Sequence, residues 1–272
     1  MDSHEKAFSE VASVPALVAG AWANAGRAAL PALPWLALWA LAGGFYKWAL
    51  STGTGGAVLT LAALVLVFVA GVLASLRIYR AMLPDAKGSF VQLAHVNLAL
   101  YLAFFLIGFF VLFFVGAFGV AMLQMSGVID LAASPDEAQM QAAFSHLLRT
   151  PYGVALVMIY ATGMGGLAYL ALRLLLVGAA TVARGQAMVF RTWRWTKGLA
   201  ARLGMAALAT HVVPFALGAL ANIALIHAMG QSEPALFATG ITGLALHAPF
   251  VLGGHGLAVA LLLRLSPGGK IA

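Results

Sequence analysis

The chain has 272 residues, of which 63% are hydrophobic and only 8% are charged. This composition provides too little polar surface for a water-soluble domain of this length. The formal net charge is +7, but without a soluble basic face to hold a duplex a nucleic-acid partner is excluded. The chain has no cysteine, which excludes disulfides, zinc–thiolate sites and iron–sulfur clusters.

Six long apolar runs divide the sequence, and each is near or above the roughly 20 residues that a helix needs to cross a hydrocarbon core. A backbone in lipid must satisfy its own hydrogen bonds, so the runs predict transmembrane helices. We therefore predict an all-α, multi-pass membrane protein with a single integral membrane domain, 1–272. Its spans are expected at about 28–50, 56–76, 97–124, 151–177, 201–229 and 235–263.

The first run is expected to stay in the protein as a span. Small residues at Ala40 and Ala42 before Gly43 look like a signal-peptidase site. The apolar stretch nevertheless continues to Leu50 and starts almost thirty residues into the chain, which is too late for a cleaved signal peptide.

Basic residues alternate between the connecting segments and give the expected orientation. Two cations, Lys47 and Arg149, fall on one side of the spans. The other thirteen of the fifteen fall on the opposite side: Lys6, Arg27, Arg77, Arg80, Lys87, Arg173, Arg184, Arg191, Arg194, Lys197, Arg202, Arg264 and Lys270. Positive residues stay preferentially in the cytoplasm, so this pattern and the even number of spans predict two cytoplasmic termini.

Three shorter segments outside the spans have helical patterns. Residues 14–26, which include Trp22, and residues 187–198 are predicted to be amphipathic helices at the cytoplasmic interface. In the third connection, Ser134 followed by Pro135 resembles a helix cap and first turn, so a short periplasmic helix is predicted at 135–148. This helix would place four apolar residues on one side: Met140, Ala143, Phe144 and Leu147. The third span is unusually aromatic, which favours exposure to lipid or a subunit contact.

Helix-breaking residues interrupt the last three predicted spans. Pro214 and Pro249 lie in the fifth and sixth spans, and glycines at 163, 165 and 166 are expected to interrupt the fourth. Transporters carry such breaks at binding sites near the membrane centre. Ordinary spans also tolerate them when neighbouring helices satisfy the freed carbonyls.

A basic and aromatic segment before the fifth span is the first candidate site. Three cations recur every three residues and two tryptophans alternate with them: Arg191, Trp193, Arg194, Trp195 and Lys197. The functional interpretation is a lipid-headgroup site in which the cations hold phosphates. The alternative is ordinary anchoring by positive charge and an aromatic belt.

Polar residues inside the last two spans are the second candidate site, namely His211, Asn222, His247 and His255. At about 1.5 Å per residue, His211 and His255 both lie roughly 15 Å from the cytoplasmic end of their spans and could face each other. Buried ionisable groups in lipid are costly, so they indicate haem or metal ligation or a proton relay. The alternative is hydrogen bonding between helices, with neighbouring glycines such as Gly254 permitting close packing.

The segment from Arg173 to Gly198 carries a resemblance to a known family. An arginine ends one span, and a Trp-x-x-Thr-Lys-Gly sequence, which starts at Trp193 and includes Thr196, then leads into an apolar helix. This resembles the six-span membrane domain fused to some bacterial glycerophosphodiester phosphodiesterases, and related stand-alone, uncharacterised inner-membrane proteins. The resemblance implies a six-span fold in the inner membrane. It implies no catalytic residues, because no phosphodiesterase domain is attached.

No pairing of catalytic side chains, phosphate-binding loop or zinc-binding helix motif is recognisable, so we expect no enzymatic activity and no cofactor. The expected protein is a multi-pass protein of the bacterial inner membrane that acts through contact with lipids or as a partner subunit in envelope upkeep. Its expected partners are anionic lipid headgroups on the cytoplasmic side, with a membrane-protein partner or a second copy as a further possibility. The alternatives are a small-ligand permease that uses the kinked fifth and sixth helices, and a haem- or metal-binding protein that uses His211 and His255.

Overall fold

The computed structural model describes residues 13–265, of which 86% are helical and none form a strand. This confirms the predicted all-α class. A 3-10 turn lies at Leu131–Ala133 and a π-helical segment at Leu208–Val212. The α-helices are α1 (Val14–Thr52), α2 (Gly56–Met82), α3 (Phe90–Ser126), α4 (Glu137–Leu147), α5 (Pro151–Leu174), α6 (Val177–Arg184), α7 (Val189–Trp195), α8 (Ala200–Ala207), α9 (Val213–Met229), α10 (Glu233–Leu246) and α11 (Ala248–Leu265).

Six helical segments are long and apolar enough to cross a membrane, which confirms the predicted number of spans. They are Val14–Thr52, Gly56–Met82, Phe90–Ser126, Pro151–Arg184, Ala200–Met229 and Glu233–Leu265. The separate helix predicted at 14–26 is absent as such, because α1 runs without a break from Val14 through the first span. Lys6 and Lys270, which contribute to the predicted charge asymmetry, lie outside the described residues.

The chain forms two compact units. The first contains the described residues up to Asn97 and those from Leu172 onward, and the second contains Leu98–Ala171. All the predicted site residues belong to the first unit.

Helix α1 is the centre of the first unit, where it packs against α2, α10 and α11. Its buried positions recur every three or four residues and are mostly alanine, which places them on one side of the helix. Helices embedded in lipid associate through close packing of small residues, and this stripe lets the neighbouring backbones approach. The buried members include Leu17, Ala21, Ala25, Ala28, Ala32, Leu36 and Ala40.

Glycines bring α1 closest to its two C-terminal partners. A Cβ on Gly240 of α10 would lie 2.7 Å from the Gly44 Cα atom, so the two backbones touch there. In α11, Gly256 lies against the backbone carbonyl of Ala21. The buried Asn24 side chain donates a hydrogen bond to the Gly256 carbonyl at 3.2 Å. Hydrogen bonding and small-residue packing therefore fix the α1–α11 contact together.

Two hydrogen bonds join segments at one end of the first unit, and a third joins segments at the other end. Arg264, near the end of α11, donates to the Ala16 carbonyl at 2.6 Å, which joins the end of α11 to the start of α1. The Gly88 N–H after α2 donates to the Val182 carbonyl of α6 at 2.7 Å. At the end of α1, the Trp48 indole N–H donates to Glu233 at 3.2 Å, at the start of α10.

In the second unit, the short helix α4 begins later than predicted. Its N-cap is Asp136, not Ser134, because the Asp136 carboxylate accepts the Gln139 N–H while the Gln139 side chain accepts the Asp136 N–H. This reciprocal capping box satisfies two backbone donors that a serine two residues earlier cannot reach. Ser134 instead adopts φ +51°. The predicted apolar side of the helix is confirmed, with Met140, Ala143, Phe144 and Leu147 in one cluster.

The glycines at 163, 165 and 166 do not interrupt the fourth span, because α5 continues through them to Leu174. Glycine lowers helix propensity by only about 1 kcal/mol and keeps its backbone N–H, unlike proline, so the ladder of hydrogen bonds is preserved. The aromatic side chains of α3 are largely exposed to the surroundings of the protein, as predicted: Phe105, Phe109, Phe110, Phe113, Phe114 and Phe118.

We predict that Gly256→Ala destabilises the protein by about 1–3 kcal/mol, because the new methyl group must displace the Ala21 carbonyl, which is part of a helix backbone. The measurement is the thermal unfolding midpoint in detergent. Gly26→Ala is the matched control, since a Cβ there meets no heavy atom within 4 Å. A midpoint for Gly256→Ala that equals or exceeds the wild-type value would contradict the proposed contact.

Candidate functional site

The basic and aromatic segment forms helix α7, on which the side chains divide into an inner and an outer side. At about 100° per residue, Thr192 and Thr196 point opposite to Arg194. Both threonines are fully buried. The three predicted cations, Arg191, Arg194 and Lys197, are all exposed. Trp193 and Trp195 lie half-buried between the two sides. The buried hydroxyls and the exposed cations therefore lie on different sides of this segment.

Arg173, at the end of α5, holds this helix in place. Its side chain is only 6% exposed. The guanidinium donates to the Trp193 carbonyl and, at 3.0 Å, to the Thr196 hydroxyl. Thr196 in turn donates to the Arg173 carbonyl at 2.9 Å. The Arg173 guanidinium also lies 4.4 Å from the centre of the Trp193 ring, a cation–π distance.

A second arginine contacts the other tryptophan. The Arg184 guanidinium lies 5.6 Å from the Trp195 ring centre, and Arg77 of α2 lies 4.6 Å from Trp35 of α1 in the same way. The sequence pattern placed both α7 tryptophans at the lipid interface and did not identify these partners. Arg173 was recognisable as the arginine that ends the fourth span, but its contact with Thr196 depends on a chain reversal that spacing does not reveal.

We predict that Arg173→Gln detaches α7, because glutamine cannot reach the Trp193 carbonyl and the Thr196 hydroxyl together, and hydrogen bonds to a charged group contribute about 1.5–3 kcal/mol each. Amide hydrogen exchange from Val189 to Lys197 should become at least tenfold faster. Arg191→Gln, which removes an exposed charge, should leave the exchange unchanged. Equal exchange in the two variants would show that Arg173 does not anchor the helix.

Two of the four predicted residues lie where the fifth and sixth spans are irregular: His211 is in the π-helical segment before Pro214, and His247 is at the one-residue interruption before Pro249. Before Pro214 the backbone forms the π-helical segment Leu208–Val212, because proline lacks an N–H and its ring crowds the carbonyl four residues earlier. That carbonyl, of Thr210, lies directly against Gly253 of α11. The sixth span ends α10 at Leu246 and restarts as α11 at Ala248.

His211 contacts α11 at Gly254, the residue before His255, while the His255 ring contacts α2. A Cβ on Gly254 would lie 2.7 Å from the His211 Nε2 atom, so the imidazole of His211 packs on that glycine. The His255 ring lies 4.5 Å from the ring of Tyr79 in α2, centre to centre. The glycines beside His255 are therefore occupied by the close approach of protein groups.

His247 and Asn222 both lie beside Gly243 of α10. A Cβ on Gly243 would lie 3.1 Å from the Asn222 Oδ1 atom, and the His247 Nδ1 atom lies 2.6 Å from the Gly243 carbonyl. His247 also packs edge to face on Phe215 at 5.2 Å. The Asn222 Oδ1 atom is buried without a hydrogen-bond partner. His247 and Asn222 therefore share one neighbour, and the rings of Phe215 and Phe250 connect His247 to His211.

Hydrogen bonds fix the same tautomer in the three histidines. A carbonyl can only accept, so His247 donates from Nδ1 to Gly243 and His255 donates from Nδ1 to Val251 at 2.7 Å. The Thr210 hydroxyl gives its proton to the Ala206 carbonyl at 3.0 Å and must accept from His211 Nδ1 at 2.9 Å. Each Nε2 atom therefore carries a lone pair.

We predict that ¹⁵N spectra of histidine-labelled protein in lipid at neutral pH show protonated Nδ1 at His211, His247 and His255. Thr210→Val removes only the acceptor of His211, so only that signal should move. A protonated Nε2 at His247 or His255 would contradict the hydrogen bonds to Gly243 and Val251.

Within residues 13–265, no group of three or more His, Asp or Glu side chains is arranged to hold a metal ion. The two histidines considered for haem or metal ligation each have Nδ1 bound within their own helical segment, an arrangement that orients Nε2.

No protein-family model matches this sequence, and neither a curated protein nor a solved structure is significantly similar to it. The resemblance to the membrane domain of glycerophosphodiester phosphodiesterases therefore stays a hypothesis. The geometry of the first unit, which contains all the predicted site residues, is therefore the basis for the proposed function.

Proposed function

We propose that this is a non-enzymatic, multi-pass protein of the bacterial inner membrane that binds anionic lipid headgroups through α7. In this proposal both termini and the loop that contains α7 are cytoplasmic. The headgroup phosphates bind Arg191, Arg194 and Lys197, while Trp193 and Trp195 lie at the depth of the interface.

The observation that carries the proposal is the exposure of three cations on α7 and the turn that follows it, a segment that the buried Arg173 side chain holds in place. Side chains that serve only to orient a loop need no fixed geometry, because each contributes about 1 kcal/mol wherever it meets an anionic surface. Here a buried arginine fixes the backbone that presents the cations. Arginine forks on such a backbone can bind phosphate oxygens in pairs.

Contacts at the ends of the first unit support the proposed orientation. The end rich in cations joins Arg264 to Ala16 and joins Gly88 to Val182. The other pair of connections, joined by Trp48 and Glu233, carries Lys47 as its one cation in the described part of this unit. Cations gathered on one side are retained in the cytoplasm during insertion.

A role as a partner subunit in envelope upkeep stays within the proposal. The supporting observation is the exposed aromatic surface of α3, where Phe105 is 72% exposed and Phe109 is 54% exposed. Either lipid chains or another membrane helix can cover such a surface.

Replacement of Arg191, Arg194 and Lys197 by glutamine should reduce the anionic lipid that copurifies with the protein at least fivefold, because the phosphate ligands are lost. Native mass spectrometry of gently purified protein measures the retained lipid. The charge-preserving variant Arg191→Lys/Arg194→Lys should show an intermediate loss, since lysine cannot form paired hydrogen bonds.

Three outcomes of this comparison are distinguishable. Unchanged retention in the glutamine variant means that the segment only anchors the loop. Full retention in the lysine variant with loss in the glutamine variant means binding by charge alone. Reporter fusions near Trp193 that label from outside the cell would contradict the orientation and with it the site.

A small-ligand permease is the second candidate, and the π-helical segment of the fifth span and the interruption of the sixth span at His247 favour it. The unpartnered Asn222 Oδ1 atom lies beside the break at His247, where a passing ligand could donate a hydrogen bond. Around His211 and His255 the close packing of Gly253 and Gly254 favours a structural role instead. Haem ligation by His211 and His255 is the third candidate, and Soret-region absorbance of the purified protein tests it.

A further inference from the structure

A cavity at the opposite connections of the first unit is independent of α7. It has a volume of about 420 Å³ and opens where α1 ends and α10 begins. Three aromatic rings, one carboxylate and one proline line it: Phe45, Trp48, Phe237, Glu233 and Pro234.

Helical spacing and glycine packing assemble this cavity. Phe45 and Trp48 are three residues apart on α1, and Glu233 and Phe237 are four apart on α10, so each pair shares a helix face. The two helices can approach because the Phe237 carbonyl would lie 2.8 Å from a Cβ on Gly44. The aromatic residues are thus brought together by a contact that also belongs to the core.

Hydrogen bonding orients the carboxylate toward the rings. The Trp48 indole N–H donates to Glu233 Oε2 at 3.2 Å. The Phe45 and Trp48 rings are stacked at 5.8 Å between centres, with an angle of 29° between planes. Aromatic faces carry partial negative charge, and Glu233 adds a full negative charge at the same cavity. The nearby Lys47 does not line the cavity, and its Cβ atom lies toward Gly240.

A cavity lined by aromatic rings and one carboxylate has the chemistry that recognises organic cations. Ring faces attract ammonium groups, most strongly those whose alkyl substituents reduce hydration, and tryptophan is the strongest of the three ring types. An anion would meet the Glu233 carboxylate and the ring faces. A strongly hydrated metal ion would exchange its water for a single carboxylate, which is too few ligands.

We propose that this cavity binds an alkylammonium group, of the kind carried by choline and by the headgroups of zwitterionic phospholipids. Trp48, Phe45 and Phe237 contact the cation at this open cavity and Glu233 neutralises it. This site lies apart from the cations of α7 and does not depend on the function proposed for them.

Two structural roles could explain single residues of this cavity. Glu233 occupies the first turn of α10, where a negative charge stabilises the helix. Tryptophans near the ends of spans commonly anchor a protein at the interface. Neither role distinguishes a cation from a neutral molecule of the same shape, so the decisive comparison is between such ligands.

The test is calorimetric titration of the full chain in uncharged detergent with choline and with 3,3-dimethylbutan-1-ol, its neutral counterpart of the same shape. Choline should bind and the alcohol should not. Glu233→Gln and Phe237→Ala should each weaken choline binding about tenfold, while Trp48→Phe, which keeps a ring but loses the N–H, should weaken it less. Phe190→Ala is the matched control, since Phe190 is 89% exposed and distant in sequence from the cavity.

Circular dichroism verifies that each variant is folded before titration. Equal binding of choline and the alcohol, or no binding of choline to the folded wild-type protein, would overturn the proposal. Nanodiscs of anionic lipid with and without phosphatidylethanolamine separate the sources. Choline binding that falls when this lipid is added identifies a headgroup as the ligand, and binding that does not change identifies a free ammonium compound.

Discussion

Close contact between α1 and the last two helices is the constraint on which the first unit depends. Alanine on α1 and glycine on α10 and α11 remove the side chains that would otherwise separate the backbones. In lipid, where burial of apolar surface gives little driving force, such packing and the Asn24–Gly256 hydrogen bond must provide the association. Glycines in α11 likewise allow Thr210 to pack on Gly253 and His211 to pack on Gly254. The positions of these polar residues of the fifth span therefore depend on the same kind of close contact.

The two ends of this unit present charges of opposite sign, and tryptophan takes part at both ends. At one end a buried arginine supports a helix whose outward side is cationic. At the other end, an indole N–H holds a carboxylate beside aromatic rings. Tryptophan serves both ends, as a surface for the Arg173 guanidinium in one and as a donor to Glu233 in the other. The proposed ligands accordingly differ in sign, phosphate on one side and ammonium on the other.

The number of spans and the apolar side of α4 followed from the sequence, because hydrophobic length and periodicity depend on nearby residues only. The irregular backbone at Pro214 and Pro249 was also predictable, since proline removes a donor, whereas α1 continues through Pro31 and Pro34 without a break. The glycines of α5 misled because a missing side chain only weakens a helix. Arg173 on Trp193 and Trp48 on Glu233 could not be predicted, since these pairs form only after distant segments meet.

The central position of α1 has a consequence for biogenesis. Ribosomes synthesise this helix before the other described spans, yet Arg264, which bonds to Ala16, follows Ala16 by 248 residues. The small residues on α1 must therefore stay covered by lipid or by a chaperone in the bilayer until the last hairpin is inserted. Release of the chain after the fourth span would leave α1 without α10 and α11. Membrane proteases could then recognise its uncovered small residues.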